Sequence, residues 1–139
     1  MEFKNVTLKE LQKLASVLGK KVAGKGAIIG LSGNLGSGKT TFAKAMARSL
    51  GIRSLKSPTF IISQRYPLGK RFLYHLDFYR IDQKNQLTAL GLPEILNDKN
   101  VVIIEWVNKH SHIMRICDIL IDLKVKDNNK RDVKIKFKK

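Results

Sequence analysis

The sequence predicts an α/β fold: a mixed sheet, parallel at the centre and antiparallel near one edge, flanked by helices. Three observations carry this. A short apolar run, Ala27–Ser32, leads through a glycine-rich loop into an amphipathic stretch, the strand–loop–helix order of a parallel sheet. A second apolar run, Val101–Glu105, reads as another buried strand, and two pairs of strand candidates are each joined by turn residues. A chain of 139 residues is long enough for one cored domain and too short for two comfortable ones, so residues 1–139 are taken as a single domain.

Taken in order, Thr7 to Leu18 should be a helix. Leu8, Leu11, Leu14, Ala15 and Leu18 recur at helical spacing, Thr7 and Glu10 form a capping box, and Gly19 should mark the end. Ala27–Ser32 follows as a buried strand, and a helix is expected from about Lys39 to Leu50, with Phe42, Ala43, Met46, Ala47 and Leu50 inward and Gly51 closing it. Thr59–Tyr66 and Arg71–Asp77 read as strands around the turn Pro67–Lys70. A short helical region is expected near Asn85–Leu96, interrupted by Gly91 and Pro93. The chain should finish on alternating strands, Ile119–Lys126 and Asp132–Lys138, joined by the turn-rich Asp127–Lys130.

Composition narrows the function classes. Apolar residues at 43% and charged residues at 27% are ordinary for a soluble globular chain, which excludes a disordered or fibrous class. The longest apolar runs fall far short of the ~20 residues a membrane helix needs. Cys117 is the only cysteine, so no intrachain disulfide can form, and Met1–Asn5 lacks the pattern of a secretory leader; both fit a cytoplasmic protein. A formal charge of +16 favours polyanionic partners. On the last strand Val133, Ile135 and Phe137 alternate with Lys134, Lys136 and Lys138, and Lys124 and Lys126 extend the same basic face. That face suits tRNA or an acidic protein, and equally an edge strand protected from aggregation.

The chemistry concentrates in Gly33, Asn34, Leu35, Gly36, Ser37, Gly38, Lys39 and Thr40, which match G-x-x-x-x-G-K-[ST] at every specified position. Glycines let the backbone curl its N–H groups around a phosphate, and the helix that follows presents its positive end to the same anion. Lys39 supplies a charge for the β- and γ-phosphates and Thr40 a hydroxyl for Mg2+. Thr41 belongs to the same junction, although the spacing assigns the metal to Thr40. The cofactors expected are therefore ATP and Mg2+. Glu105 ends a buried strand, where a hard carboxylate serves magnesium best. Asp77 ends another and suits a role in orienting the attacking water, in contacting magnesium through water, or in capping the next turn. His110 and His112 lack the further ligands that zinc needs, and His75 is read as a packing or hydrogen-bonding residue rather than a base.

Together with the loop, Ser57-Pro58-Thr59-Phe60, His75-Leu76-Asp77-Phe78-Tyr79-Arg80 and Glu105-Trp106 stand in an order and spacing that resemble the TsaE family, also called YjeE: P-loop ATPases of bacterial tRNA threonylcarbamoyladenosine (t6A) synthesis. The resemblance runs from Thr7 to about Trp106. It implies Thr40 and Glu105 for magnesium, Thr59 in a nucleotide-sensitive switch, Asp77 as a catalytic residue beside Lys39, and Thr7 and Trp106 near the nucleotide. It also implies TsaD and TsaB as partners, with slow ATP hydrolysis resetting their complex between rounds of tRNA modification. After Trp106 the family usually continues with Pro and an acidic or amide residue, where this chain has Val107 and Asn108. The rival reading is a small P-loop kinase acting on a metabolite or nucleoside, for which the sequence offers no convincing lid. A nucleotide-dependent RNA-binding module is a third, suggested by charge alone.

Overall fold

The computed structural model describes residues 1–56, 63–83, 86–87, 89–97, 99–127 and 129–138. Its elements are β1 (Glu2–Val6), α1 (Leu8–Val22), β2 (Ala27–Gly33), α2 (Lys39–Ser49), β3 (Ser63–Leu68), β4 (Arg71–Asp77), α3 (Leu92–Ile95), β5 (Val101–Glu105), a 3-10 turn (Val107–Lys109), α4 (Ser111–Ile116), β6 (Ile119–Val125) and β7 (Arg131–Phe137). The strands form one seven-stranded sheet in the order β1-β7-β6-β2-β5-β4-β3. β2 runs parallel to β5 and β6, and β4 parallel to β5. β3 on β4 closes one side antiparallel, and β7 and β1 close the other. The sheet is thus the mixed one expected, with antiparallel pairing at both edges rather than one.

Side-chain alternation divides the core. Ile29, Leu31, Ile103 and Ile121 pack with α1 and α2 on one face, while Ile28, Val102, Ile104 and Cys117 pack with Phe78, Ile81, Val107 and Ile113 on the other. β5 is buried along its whole length, as an inner parallel strand covered on both faces should be.

α1 starts as expected on Thr7, whose hydroxyl accepts from Glu10 N at 3.1 Å while Glu10 Oε1 accepts from Thr7 N at 3.0 Å. It does not stop at Gly19 but runs on to Val22. The reason is packing: a Cβ at Gly19 would lie 1.9 Å from Ser49 Oγ and 2.9 Å from the Met46 carbonyl oxygen, so this glycine lets α1 and α2 touch. In the hairpin, Pro67 belongs to β3 and pairs with Phe72, leaving Gly69 and Lys70 as the turn. Pro is tolerated there because β3 is an edge strand. Within the helical region expected over 85–96, Gln86 and Leu87 are helical and α3 occupies Leu92–Ile95, while Asn85 and Thr88 lie outside the described residues. Among the described residues, no helix is long and apolar enough to cross a membrane.

Candidate functional site

β2 delivers the chain to Gly33 at the carboxyl ends of the parallel strands, and α2 begins at Lys39. Between them the loop turns tightly, with Ser37 N donating to the Asn34 carbonyl at 3.1 Å and Phe42 N to the Gly38 carbonyl at 2.8 Å. Asn34, Leu35 and Gly36 form the exposed tip, Ser37 is buried, and Thr40 and Thr41 are half-buried. Gly38 has φ of 109°, and a Cβ there would sit 2.9 Å from Leu11 Cδ2. Only glycine serves this position: it must adopt a left-handed backbone and also admit α1 against the loop.

Parallel register sets the acidic side of the site. Asp77 of β4 and Glu105 of β5 are direct partners, so both side chains emerge together on the face that carries α2. Glu105 is buried, and its Oε1 accepts from the Thr40 hydroxyl at 2.8 Å. Its Oε2 lies 2.6 Å from His75 Nε2. Asp77 Oδ1 accepts from Tyr79 N at 2.9 Å. Burial raises the Asp77 carboxyl above its usual range, the Tyr79 N–H opposes this, and the neighbouring Glu105 carboxylate adds to it.

Lys39 is 5% exposed. Its ammonium donates to the carbonyls of Gly33 (2.6 Å) and Asn34 (2.9 Å) and to Ser37 Oγ (3.4 Å). It also lies 3.9 Å from the centre of the Trp106 ring, a cation–π contact. Burial lowers its pKa, against the attraction of Glu105 and Asp77. Trp106 adopts φ of 60°, rare for so bulky a residue. Its ring packs on Tyr79 with centroids 4.8 Å apart. Lys109 reinforces this wall by donating to the Tyr79 carbonyl and to Asp82 Oδ1 at 2.8 Å.

The structure therefore gathers Gly33–Thr40, Asp77, Glu105 and Trp106. Thr7 caps α1 one turn before Leu11, the residue that packs on Gly38; its hydroxyl is engaged by Glu10. Thr59 lies outside the described residues. Sequence reasoning missed the partner of His75, and missed Arg131. The Arg131 guanidinium is 4% exposed and approaches Gly38, its Nη1 being 3.4 Å from an ideal Cβ there. Its Nη2 donates to the Asn129 carbonyl at 2.9 Å, whereas Nε and Nη1 meet no partner among the described residues. Arg131 occupies an inward position, in step with Val133 and Ile135, and that parity was the available signal.

The family model described as "Threonylcarbamoyl adenosine biosynthesis protein TsaE" matches residues 6–133. This chain belongs to the TsaE family. Among its relatives named tRNA threonylcarbamoyladenosine biosynthesis protein TsaE, that of Haemophilus influenzae is 31% identical over 84% of this chain and 75% of its own length. The Aquifex aeolicus relative is 32% identical over 88% and 86% respectively, and the Rickettsia prowazekii one 39% over 75% and 73%. The crystal structure of Bacillus subtilis YdiB superposes with a TM-score of 0.72 at 28% identity, covering 96% of this chain and 82% of that one.

Away from the loop, this TsaE-family chain carries three features singled out by sequence. His110 is buried with Nε2 2.9 Å from the Ile81 carbonyl oxygen. Cys117 is buried, and burial pushes its thiol up to about 12, which suppresses thiolate chemistry. The basic face is partly neutralised across strands: Lys134 reaches Glu2 at 3.9 Å, and Lys4 and Lys126 each reach Asp132 at 3.6 Å.

Proposed function

We propose that this TsaE-family chain binds ATP at Gly33–Thr40 and hydrolyses it slowly, with magnesium, as a subunit required for t6A modification of tRNA. The observation that carries the reading is the contact between Thr40 and Glu105, which joins the end of the phosphate loop to the end of a buried strand. A hydroxyl and a carboxylate are hard oxygen donors of the kind magnesium takes, usually alongside waters and phosphate oxygens. Magnesium would neutralise charge building on the phosphate oxygens.

The remaining work falls to the chain itself. Loop amides and the first turn of α2 would hold the phosphates, with Asn34, Leu35, Gly36, Ser37 and Thr41 bordering them. The Lys39 ammonium, now on loop carbonyls, would turn to the β- and γ-phosphates. Asp77, held by Tyr79 N, would orient the attacking water. Trp106, Thr7 and Arg131, whose Nε and Nη1 meet no partner among the described residues, would line the nucleotide, and Thr59 would respond to it. The relatives' names support t6A synthesis as the setting.

Since no separate pocket for acyl or carbamoyl transfer is evident in the sequence, ATP hydrolysis would instead drive turnover of a TsaD–TsaB complex in the cytoplasm. tRNA would be reached through that complex or through Lys124, Lys126, Lys134, Lys136 and Lys138. The deciding experiment measures ATP hydrolysis by the purified chain alone and with TsaD and TsaB, beside Lys39→Ala, with tRNA modification followed in the same tubes. Slow basal hydrolysis, stimulation by the partners and loss of multi-round modification in Lys39→Ala are expected. Partner-independent consumption of ATP that appears only with a small acceptor would make the protein a kinase.

A further inference from the structure

His75 is fully buried on β4, two residues before Asp77, and therefore on the same face of the sheet. Register pairs it with Ile103, so Glu105, two residues further along β5, is its diagonal neighbour on that face. The 2.6 Å contact between His75 Nε2 and Glu105 Oε2 has one sensible proton arrangement. A carboxylate can only accept, so Nε2 carries the hydrogen. The other ring nitrogen, Nδ1, is buried and meets no partner among the described residues. Leaving it so costs free energy that an apolar side chain at this position would avoid, which singles out the Nε2 contact as the reason for an imidazole here.

We propose that His75 is a positioning residue: it holds Glu105 Oε2 so that Oε1 stays turned toward Thr40 and available to magnesium. The proposal rests on the reading of Thr40 and Glu105 as the magnesium-binding pair. The terminal torsion of a glutamate is soft, and the Lys39 ammonium attracts this carboxylate. Without His75, Glu105 can rotate away from Thr40, costing the metal its ligand. A histidine that fixes a metal-binding carboxylate in this way acts like the outer partners of other metal sites, whose loss weakens metal binding by about 10- to 100-fold.

The test uses the full chain, with ADP and magnesium chloride as probes. Calorimetry measures ADP affinity without metal and across a magnesium titration, for the wild type, His75→Leu, His75→Gln and His75→Asn. In His75→Leu the magnesium needed for half-maximal enhancement should rise about 10- to 100-fold, with metal-free ADP affinity unchanged. Gln places an amide donor near the position of Nε2 and should recover much of the response; Asn, too short to reach Glu105, should not. An unchanged magnesium response in folded His75→Leu overturns the proposal, as does an equal loss of affinity with and without metal. If His75→Leu fails to fold, equal behaviour of Gln and Asn overturns it. A wild type that binds ADP with no magnesium response removes the metal-pair reading beneath it, an outcome visible before any variant is compared.

Discussion

Thr40 donates its hydroxyl to Glu105 Oε1 over 2.8 Å, while the other oxygen of the same carboxylate meets His75. Glu105 therefore satisfies two donors that come from α2 and β4. Glu105→Ala should cost about 2–4 kcal/mol, since it leaves the His75 N–H buried and unpaired, whereas isosteric Glu105→Gln should cost less than about 2 kcal/mol. Denaturant unfolding without nucleotide checks this. Equal losses in the two variants would refute the claim that hydrogen bonding, rather than charge, dominates here. If Thr40 and Glu105 hold magnesium as proposed, both should also lose magnesium-enhanced nucleotide binding.

Trp106 holds its ring over Lys39 from a backbone at φ of 60°. Truncation to Ala keeps the conformational strain, and truncation to Gly removes it. Trp106→Gly should therefore be more stable than Trp106→Ala by about 1 kcal/mol, although both lose the ring. Thermal unfolding of the pair is sufficient, and an Ala variant at least as stable as Gly would show that no strain is stored there.

Thr7 was expected both as a helix cap and as a residue near the nucleotide, and the capping contacts are present. Thr7→Ala should lose about 1 kcal/mol, and Thr7→Ser much less. Thr7→Ala leaves the bond from the Thr7 backbone N–H to the Glu10 carboxylate in place, so adding Glu10→Ala should cost further stability. A double variant no less stable than Thr7→Ala would mean that the Glu10 bond contributes nothing.

Asp132 supports the irregular pairing of β1 with β7. Its Oδ1 accepts from Asn5 N at 3.0 Å, beside the shift in register between Phe3 and Val6. That N–H, then Lys126 and Lys4, hold its carboxyl below the usual range. A carboxylate whose folded pKa is depressed stabilises the fold above its unfolded pKa of about 4, and the gain disappears as pH falls through the folded value. Asp132→Asn should therefore be less stable than the wild type near neutrality, with the gap closing in acid. A gap independent of pH would assign the effect to something other than ionisation.

Much of this arrangement was legible in the residues. Gly33–Thr40 announces itself because its motif sets specific residue types at fixed spacing, and Val101–Ile104 does because a strand covered on both faces is apolar along its run. β1 left little trace: Glu2–Val6 is largely exposed, and its ladder depends on a strand at the far end of the chain. α4 is too short to show a helical period. Gly19 read as a stop because helix–helix contact cannot be seen within one segment, and Arg131 went unremarked because arginine is usually solvated. Asp77 and Glu105 were each suspected as strand ends, but only register reveals that they stand side by side.

The ladder between β1 and β7 bears on how the molecule assembles. Asn5 and Asp132 are 127 positions apart, and closing a flexible loop of that length costs about 4 kcal/mol of chain entropy before any contact is gained. Pairing so distant in sequence is expected to form late and slowly. β7 also carries Arg131 to Gly38, while β1 leads directly into α1, whose Leu11 packs on the same glycine. A chain emerging from the ribosome can thus form β2 and α2 early, yet the phosphate loop gains its full backing only when the last strand has been made.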